Sequence, residues 1–548
     1  MNAFRIGVVL ALLPLGLGAS ALAATSRTGP LFSGLGTLEH PVTTRNPRAQ
    51  RYFNQGLRLV FGFNHKEAIR SFQSAAALDP GCAMAWWGIA YAHGPHVNRP
   101  MDASDTAAAW EALQSALAVR SGASAKEQAY IDALQSRYQP GHAADRLALD
   151  RAFADAMRIL VREYPDDLDA RTLFAESLMN TMPWDYWTRD RTPKPETGEI
   201  LEALRFVLSR DPDHPGANHY YIHAVEAGPD PGLGTAAADR LRFAVPAAGH
   251  LAHMPSHIDM RVGRYHEAVE ANVRAARADR DYVRHCRAQG FYPGVYYPHN
   301  LHFLWWAQVF EGSSRDALST ARRTVEYTLD STCGPSPVLE APRLRHLPWL
   351  TLARFGRWDE LLAVPAPPGT NDFLVDRALW HFCRGWVLAG RQDPGAAARE
   401  LDSLRDLAGS DAVAALNNPA FPVTATLAVP VAWLSARVAA ARGDAPGMIA
   451  AFETAVAAED AIPYMEPTFW PLPVRQAFGA ALIRAGDPAR AEAVFREDLN
   501  RWPRNGWSLF GLEQALRAQG RAEAAADVQR QFTDAWKHAD VRPDLLWY

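Results

Sequence analysis

Histidines recur in short rows whose spacing is that of one helix face. Some neighbours in these rows are four residues apart and others three, and the first four-residue pair repeats 34 residues later. The set is His219, His223, His250, His253, His257, His299 and His302. Side chains three or four residues apart project from the same side of a helix. Histidine is the commonest side-chain ligand of transition metals, so the rows predict a metal site built from several helices.

The residue types around these rows narrow the choice of metal. The motif is rich in imidazole, contains no cysteine and offers Glu226, which extends the first row by one turn, as a carboxylate. Such a set favours zinc or copper, with iron as a further candidate, and disfavours calcium and magnesium. Two arrangements fit the residues. Three histidines would hold one zinc ion while Glu226 acts as general base on a bound water, or two groups of three would hold a metal pair that handles oxygen.

The elements that carry these histidines are predicted to be helices. Alanine, leucine and arginine dominate amphipathic runs of about a dozen residues, broken by glycine, Asp-Pro and proline, and alternating strand patterns are rare. The breaks recur, which indicates a repeat architecture. The fold class expected from this pattern is all-α.

The segment "FNQGLRLVFGFNHKEAIRSFQSAAALDP" carries a specific family pattern in Gly56, Ala68, Phe72, Ala75 and Pro80. Small residues let two helices touch, the aromatic ring fills the gap, and proline ends the second helix. The segment resembles a tetratricopeptide repeat, and the pattern recurs near the C-terminus at Gly479, Ala491, Phe495 and Pro503. The resemblance extends over roughly residues 46–535 and implies a helical superhelix, an α-solenoid, with insertions.

The resemblance also implies a place for the histidines, because the second, fifth, ninth and twelfth positions of such repeats face a concave groove. Ala268, Pro246 and Ala317 set the frame. The residues then predicted to face the groove are His219, His223, Glu226, His250, His253, His257, His299, His302, Arg343 and His346. Pro255 interrupts this pattern, and a helix beginning there would leave His250 and His253 on the preceding loop.

The chain divides by pattern into five segments. Residues 1–23 are a predicted signal peptide and 24–45 an N-terminal lead, followed by repeats at 46–140, His-rich repeats at 141–364 and further repeats at 365–548. Arg5, an apolar core and Ala21-Leu22-Ala23 make up the signal pattern. We therefore expect a periplasmic or secreted protein. Several insertions interrupt the repeats, and "FYPGVYYP" before His299 is expected to roof the groove.

Charge and cysteine content exclude some classes of protein. A net charge of -4 and a pI near 6.5 do not indicate nucleic-acid binding, and no later hydrophobic run is expected to span a membrane. The cysteines lie apart, at Cys82, Cys286, Cys333 and Cys383. Among them Cys286 and Cys333 are the best candidates for a disulfide in an oxidising compartment.

Two functions remain open at this point. One is a metal-dependent enzyme, either a hydrolase or an oxidoreductase, with the seven histidines as ligands, Glu226 as catalytic residue and a small molecule in the groove. The other is a non-enzymatic adaptor of the tetratricopeptide type that binds a peptide or protein partner there. Glu466 and Glu176 are distant carboxylates that are candidate partners of the histidines, although capping of helices or pairing with arginines is the favoured role; His93 and His96 are weaker ligand candidates.

Overall fold

A computed structural model describes residues 28–141, 145–329, 344–418, 421–545 and 547–548. Within these ranges the regular elements are helices, and the only β-type pairings are isolated bridges. The all-α prediction is confirmed. The predicted signal peptide, Cys333 and Arg343 lie outside the described residues.

The N-terminal helices precede the first histidine row. They are α1 (Pro47–Phe61), α2 (His65–Leu78), α3 (Ala83–His93), α4 (Asp105–Ala118), α5 (Ala125–Gln135), α6 (Arg146–Glu163), α7 (Leu168–Met179) and α8 (Pro195–Arg210). Asparagine or aspartate side chains cap many of them, as Asn46 does by accepting from the backbone N–H of Arg48 and Ala49.

The central helices carry the histidine rows. They are α9 (Pro215–Val225), α10 (Thr235–Ala244), α11 (Gly249–His253), α12 (Pro255–Val262), α13 (Tyr265–Cys286), α14 (Tyr297–Glu311), α15 (Ser314–Leu329), α16 (Leu347–Arg354) and α17 (Trp358–Leu362). A five-residue π-helix, Tyr292–Tyr296, leads directly into α14.

The remaining helices form the C-terminal part. They are α18 (Leu374–Gly390), α19 (Pro394–Ala408), α20 (Asp411–Ala414), α21 (Val423–Ala441), α22 (Ala445–Ala461), α23 (Val474–Arg484), α24 (Pro488–Arg501), α25 (Gly506–Ala518) and α26 (Ala522–Ala535). By length and composition α21 could cross a membrane, contrary to the sequence analysis, but it packs against α18, α19 and α22 and most of it is buried.

Consecutive helices pack as antiparallel hairpins around the small and aromatic residues of the repeat pattern. The Phe72 ring fills the space beside both Gly56 and Gly88, where an added Cβ would lie 2.5 Å and 2.6 Å from it. Phe495 does the same between Gly479 and Gly511. The chain therefore has a tetratricopeptide-like helical-repeat fold.

Two apolar cores follow each other along the chain. The first contains buried residues from Leu35 to Tyr296, and the second contains residues from Met260 to Tyr548. Their ranges overlap from the end of α12, through α13, to the π-helix before α14. The indole N–H of Trp507 also donates to the carbonyl of Val309 at 2.9 Å, which ties the C-terminal helices to α14. The histidine rows thus lie where the two cores meet.

Pro255 does not place His250 and His253 on a loop, which the sequence analysis considered for a helix beginning there. His250 and His253 lie on the short helix α11, and α12 begins at Pro255 with Met254 between them in right-handed helical conformation. The backbone N–H of Met254 still donates to the carbonyl of His250. All three histidines of this row are therefore on helical backbone and keep a fixed orientation.

Candidate metal centre

Six of the seven predicted ligand histidines come together in two groups of three. The first group, which we call triad A, is His219, His223 and His250; the second, triad B, is His253, His257 and His299. Within each triad one ring nitrogen per residue lies within 4.8 Å of those of the other two. Helix α9 supplies two members of triad A, and α14 supplies His299 of triad B. The row on α11 and α12 contributes to both.

The facing nitrogens are mostly Nε2 atoms. In triad A the Nε2 atoms of His219 and His250 are 3.1 Å apart. In triad B the Nε2 atom of His253 lies 2.8 Å from that of His257 and 3.2 Å from that of His299. The two triads are neighbours, because the rings of His223 and His257 have centroids 5.7 Å apart.

Hydrogen bonds at the other ring nitrogen fix the tautomer of several of these histidines. His219 Nδ1 donates to the Phe61 carbonyl at 2.7 Å. His253 Nδ1 donates to Asn272 Oδ1 at 2.7 Å, and Asn272 can only accept there because its amide nitrogen donates to Ala268. A histidine protonated on Nδ1 presents the lone pair of Nε2. Such partners orient imidazole ligands in metal sites.

Glu226 accepts a hydrogen bond from Nδ1 of one histidine in each triad and so orients both rings. Its Oε1 accepts from His223 Nδ1 at 2.8 Å, and its Oε2 accepts from His257 Nδ1 at 2.5 Å. Burial alone would raise the pKa of Glu226, but His257 and His223 outweigh it and lower that pKa. Both carboxylate oxygens thus accept a hydrogen bond from an imidazole, so Glu226 is held between the two triads.

Glu466 contacts triad B, the less favoured of the two roles that the sequence analysis gave it. It lies on the segment between α22 and α23, and its Oε2 is 3.3 Å from His257 Nδ1. Tyr464 also donates its hydroxyl to Glu466. Burial would lower the pKa of His257, but Glu226 and Glu466 together raise it. No local spacing links Glu466 to the histidine rows, so the sequence contained no signal for this contact.

The triads are enclosed rather than exposed on an open groove wall. Their members are at most 1% exposed except for His299, which is partly exposed. The Tyr296 ring, from the predicted roofing insertion, lies 4.3 Å from that of His250. Phe303 covers the rings of His253 and His257 at 4.7 Å and 4.6 Å. Burial lowers the pKa of His219, His250, His253 and His299 well below the usual value, which keeps these imidazoles neutral.

His302, the seventh predicted ligand, belongs to neither triad. It lies one helical turn beyond His299 and, together with His346, lines a neighbouring cavity. His346 had also been assigned to the groove by the repeat frame. Burial lowers the pKa of His302 to about 3 and that of His346 to about 4.

Other histidine clusters have structural explanations. Asp169 accepts from His40 Nδ1 at 2.6 Å and from His214 Nε2 at 3.2 Å, which ties the N-terminal lead to α7 and α9. The rings of His266 and His538 are stacked at 3.6 Å with planes 2° apart. Their in-plane lone pairs therefore run parallel and do not converge on one ion.

The weaker candidates also lie outside the two triads. His93 pairs with Asp105 at 2.9 Å, and the His96 ring stacks on Phe63 at 4.5 Å. Glu176 accepts from the Tyr91 hydroxyl at 2.6 Å and from the Asn180 side chain, within the first core. These contacts account for the positions of the three side chains, of which His96 and Glu176 are buried and His93 is partly exposed.

Comparisons with known proteins concern the fold. The chain is similar to the Cut9 and Hcn1 hetero-tetramer of APC/C, with 13% identity over 90% of this chain and 80% of that chain and a TM-score of 0.36. It is also similar to the human IFIT1 dimer with m7Gppp-AAAA (10% identity, 90% and 91% coverage, TM-score 0.31) and to yeast Tom70 (11%, 89% and 92%, TM-score 0.24). No protein-family model and no curated protein matches the chain.

Proposed function

We propose that this protein is an exported metalloprotein that holds two transition-metal ions, one in each triad, and uses them for an oxygen-dependent oxidation. The observation that carries this proposal is the convergence of six buried imidazoles in two groups of three, with Nδ1 of four of them directed at oxygen acceptors. A neutral imidazole that presents the Nε2 lone pair can bind a metal ion. Lone pairs that face one another without an ion do not stabilise the fold, so a purely structural cluster would not favour this arrangement.

The distances agree with this proposal after a small adjustment. Metal–imidazole bonds of about 2.0–2.1 Å in tetrahedral geometry separate the ligand nitrogens by about 3.3 Å. The observed Nε2 separations of 3.1 Å in triad A and of 2.8 Å and 3.2 Å in triad B are slightly shorter. For these three pairs metal binding requires shifts of a few tenths of an ångström, and the Nε2 atom of His223, which has no hydrogen-bond partner, is available to complete triad A. Metal binding also displaces the proton that Glu226 and Glu466 favour on His257.

Charge balance favours copper over zinc. The carboxylates in contact with the triads are Glu226 and Glu466, and Arg261 approaches Glu466 at 3.9 Å. A buried site with this little negative charge balances a pair of monovalent copper ions better than a pair of divalent zinc ions. Copper also has the highest affinity of the divalent first-row metals for such ligands and supports oxygen chemistry.

The hydrolytic alternative is weaker for a specific reason. A mononuclear zinc hydrolase needs a carboxylate free to take a proton from bound water, and both oxygens of Glu226 already accept from histidines. The adaptor alternative relied on an open groove at the histidine rows, whereas the triads are buried. We therefore place any substrate in the pocket beside triad B.

The decisive experiment is metal reconstitution of the purified mature chain under anaerobic conditions. We expect two copper ions per chain and, on admission of air with a reducing substrate, consumption of dioxygen. Zinc-loaded protein is the matched control and should consume none. A chain that binds no transition metal would overturn the proposal and leave the adaptor function. A chain that binds one zinc ion and hydrolyses esters or amides would support the mononuclear arrangement instead.

Export is a separate part of the proposal, supported by the signal pattern around Ala21-Leu22-Ala23. Mass spectrometry of the chain recovered from outside the cytoplasm should show removal of about the first 23 residues. Recovery of a chain that still begins at Met1 would contradict it.

A further inference from the structure

A cavity of about 190 Å³ lies next to triad B. His299 and Glu466 form one side of it, so the cavity directly adjoins a member of the triad and a carboxylate that contacts another member. It is bounded by α14, α16, α18 and α21 and by the segment between α22 and α23. A site of this size adjoining the triad is where a small substrate would be held.

The wall of this cavity is mainly apolar and partly aromatic. Val375 and Leu379 of α18 line one side, and Phe421, Phe469 and Trp470 supply aromatic surface. An apolar cavity of about 150 Å³ in another protein is large enough to bind benzene. The present cavity therefore has room for one six-membered aromatic ring with a small substituent.

Several polar atoms in the wall are buried and have no hydrogen-bond partner. They include His302 Nε2, His346 Nδ1 and the indole N–H of Trp470. A buried polar group without a partner costs about 1–3 kcal/mol, so such groups usually bind water or a ligand. His302 and His346 remain neutral at ordinary pH because burial lowers their pKa to about 3 and about 4. A neutral imidazole pairs well with a hydroxyl group, which both donates and accepts.

We propose that this cavity is the substrate subsite of the metal centre and that it binds a small phenol. The aromatic ring lies among Leu379, Phe421 and Phe469, and the hydroxyl group bonds with His302 and His346. This inference rests on the proposed function, because a bound phenol is a substrate only if the metal centre is present. The binding of a phenol itself requires only the cavity.

Calorimetric titration with phenol and with benzene tests this inference, using both metal-free and metal-loaded protein. We expect phenol to bind at least tenfold more tightly than benzene. His302→Phe keeps a planar ring but removes the polar atom, so it should abolish that preference and leave benzene binding unchanged. Leu379→Phe fills the cavity and should weaken both ligands. His381→Phe is the matched control, because His381 lies on α18 and pairs with Glu400 outside the cavity.

Several results would overturn the inference. They are equal affinity for phenol and benzene, no binding of phenol, or an unchanged preference in His302→Phe. A third metal ion that disappears in His302→Phe would also overturn it, since His302 and His346 would then be metal ligands. Metal content measured on the same samples separates the two proposals. If the chain binds phenol but no metal, the phenol site is supported and the metal centre is contradicted. If it binds metal but no phenol, the metal centre is supported and the phenol site is contradicted.

Discussion

His257 and Glu226 form the shortest contact between the triads and the carboxylates around them, with His257 Nδ1 2.5 Å from Glu226 Oε2. The other oxygen of Glu226 accepts from His223, so one carboxylate orients a ligand in each triad. Any change at Glu226 therefore acts on both triads at once. The sequence analysis predicted a catalytic role for Glu226; its two hydrogen bonds to His223 and His257 support a positioning role instead, and the variant Glu226→Gln distinguishes the two.

Glu226→Gln should reduce the affinity for both metal ions. Glutamine keeps one acceptor oxygen and turns an amide N–H toward the other imidazole, so only one of the two histidines remains correctly oriented. Loss of such a partner typically costs 10–100-fold in metal affinity. Competition with a chelator of known affinity measures this directly. Glu176→Gln is the control, since Glu176 is equally buried but bonds only to Tyr91 and Asn180. Full metal affinity with complete loss of turnover would instead identify Glu226 as a general base.

The two triads should lose their ions independently. His219→Ala removes a ligand from triad A only, and His299→Ala removes one from triad B only. We expect each variant to retain about one metal ion per chain, and the double variant none. Elemental analysis after dialysis measures the stoichiometry. His266→Ala, which changes a histidine paired with Glu311 outside the triads, should retain both ions. Loss of both ions in each single variant would indicate one shared site.

The sequence predicted the convergence of these histidines better than it predicted their grouping. Histidines were assigned to rows by helix, but His250 contributes to triad A whereas His253 and His257 contribute to triad B. Within this row the Nε2 atom of His250 lies 3.1 Å from that of His219 on α9, whereas the Nε2 atom of His253 lies 3.2 Å from that of His299 on α14. Spacing within one helix gives the face of each side chain and does not give the partner helix.

The same limit explains His302 and Glu466. His302 shares a helix with His299, but at three residues apart the two side chain directions differ by about 60°, and His302 lines the cavity together with His346 rather than joining triad B. Glu466 reaches His257 from a segment 209 residues further along the chain. Only the packing of the C-terminal helices against α14 makes that contact. The repeat fold itself was predictable because small and aromatic residues at fixed offsets are local features.

Asp169→Asn should destabilise the protein in a pH-dependent manner. Burial would raise the pKa of Asp169, but hydrogen bonds from His214 and His40 outweigh it and lower that pKa. Burial would likewise lower the pKa of His40, but Asp169 raises it, with Asp167 adding to the effect and Lys126 opposing it. A carboxylate with a lowered pKa stabilises the fold above its unfolded pKa, near 3.8, and a histidine with a raised pKa does so below 6.5.

The stabilisation is therefore complete between these two values and declines on either side. At pH 5.5 we expect the variant to lose about 3 kcal/mol, as when one partner of a buried pair is removed. Urea unfolding at pH 3, 5.5 and 8.5 should show the largest difference from the native chain at the middle value. Asp155→Asn is the control, because that side chain is 73% exposed. A difference that is constant across the three pH values would exclude this ion-pair explanation.

Two glycine substitutions should change the stability of the fold in opposite directions. Gly511 lies in α25 against Phe495, and an added Cβ would be 2.1 Å from its ring. Gly511→Ala must therefore displace that ring or separate two helices, at a cost of about 1–3 kcal/mol. Gly198 also lies within a helix, α8, but an added Cβ there meets nothing within 4 Å.

Gly198→Ala should accordingly stabilise the protein by about 0.5–1 kcal/mol, because alanine favours the helix more than glycine does. The matched pair separates helix propensity, which both substitutions improve, from packing, which only Gly511→Ala disturbs. Thermal unfolding followed by circular dichroism measures both variants under one condition. Equal stabilisation of both would mean that the helices at Phe495 do not approach as closely as the repeat pattern requires.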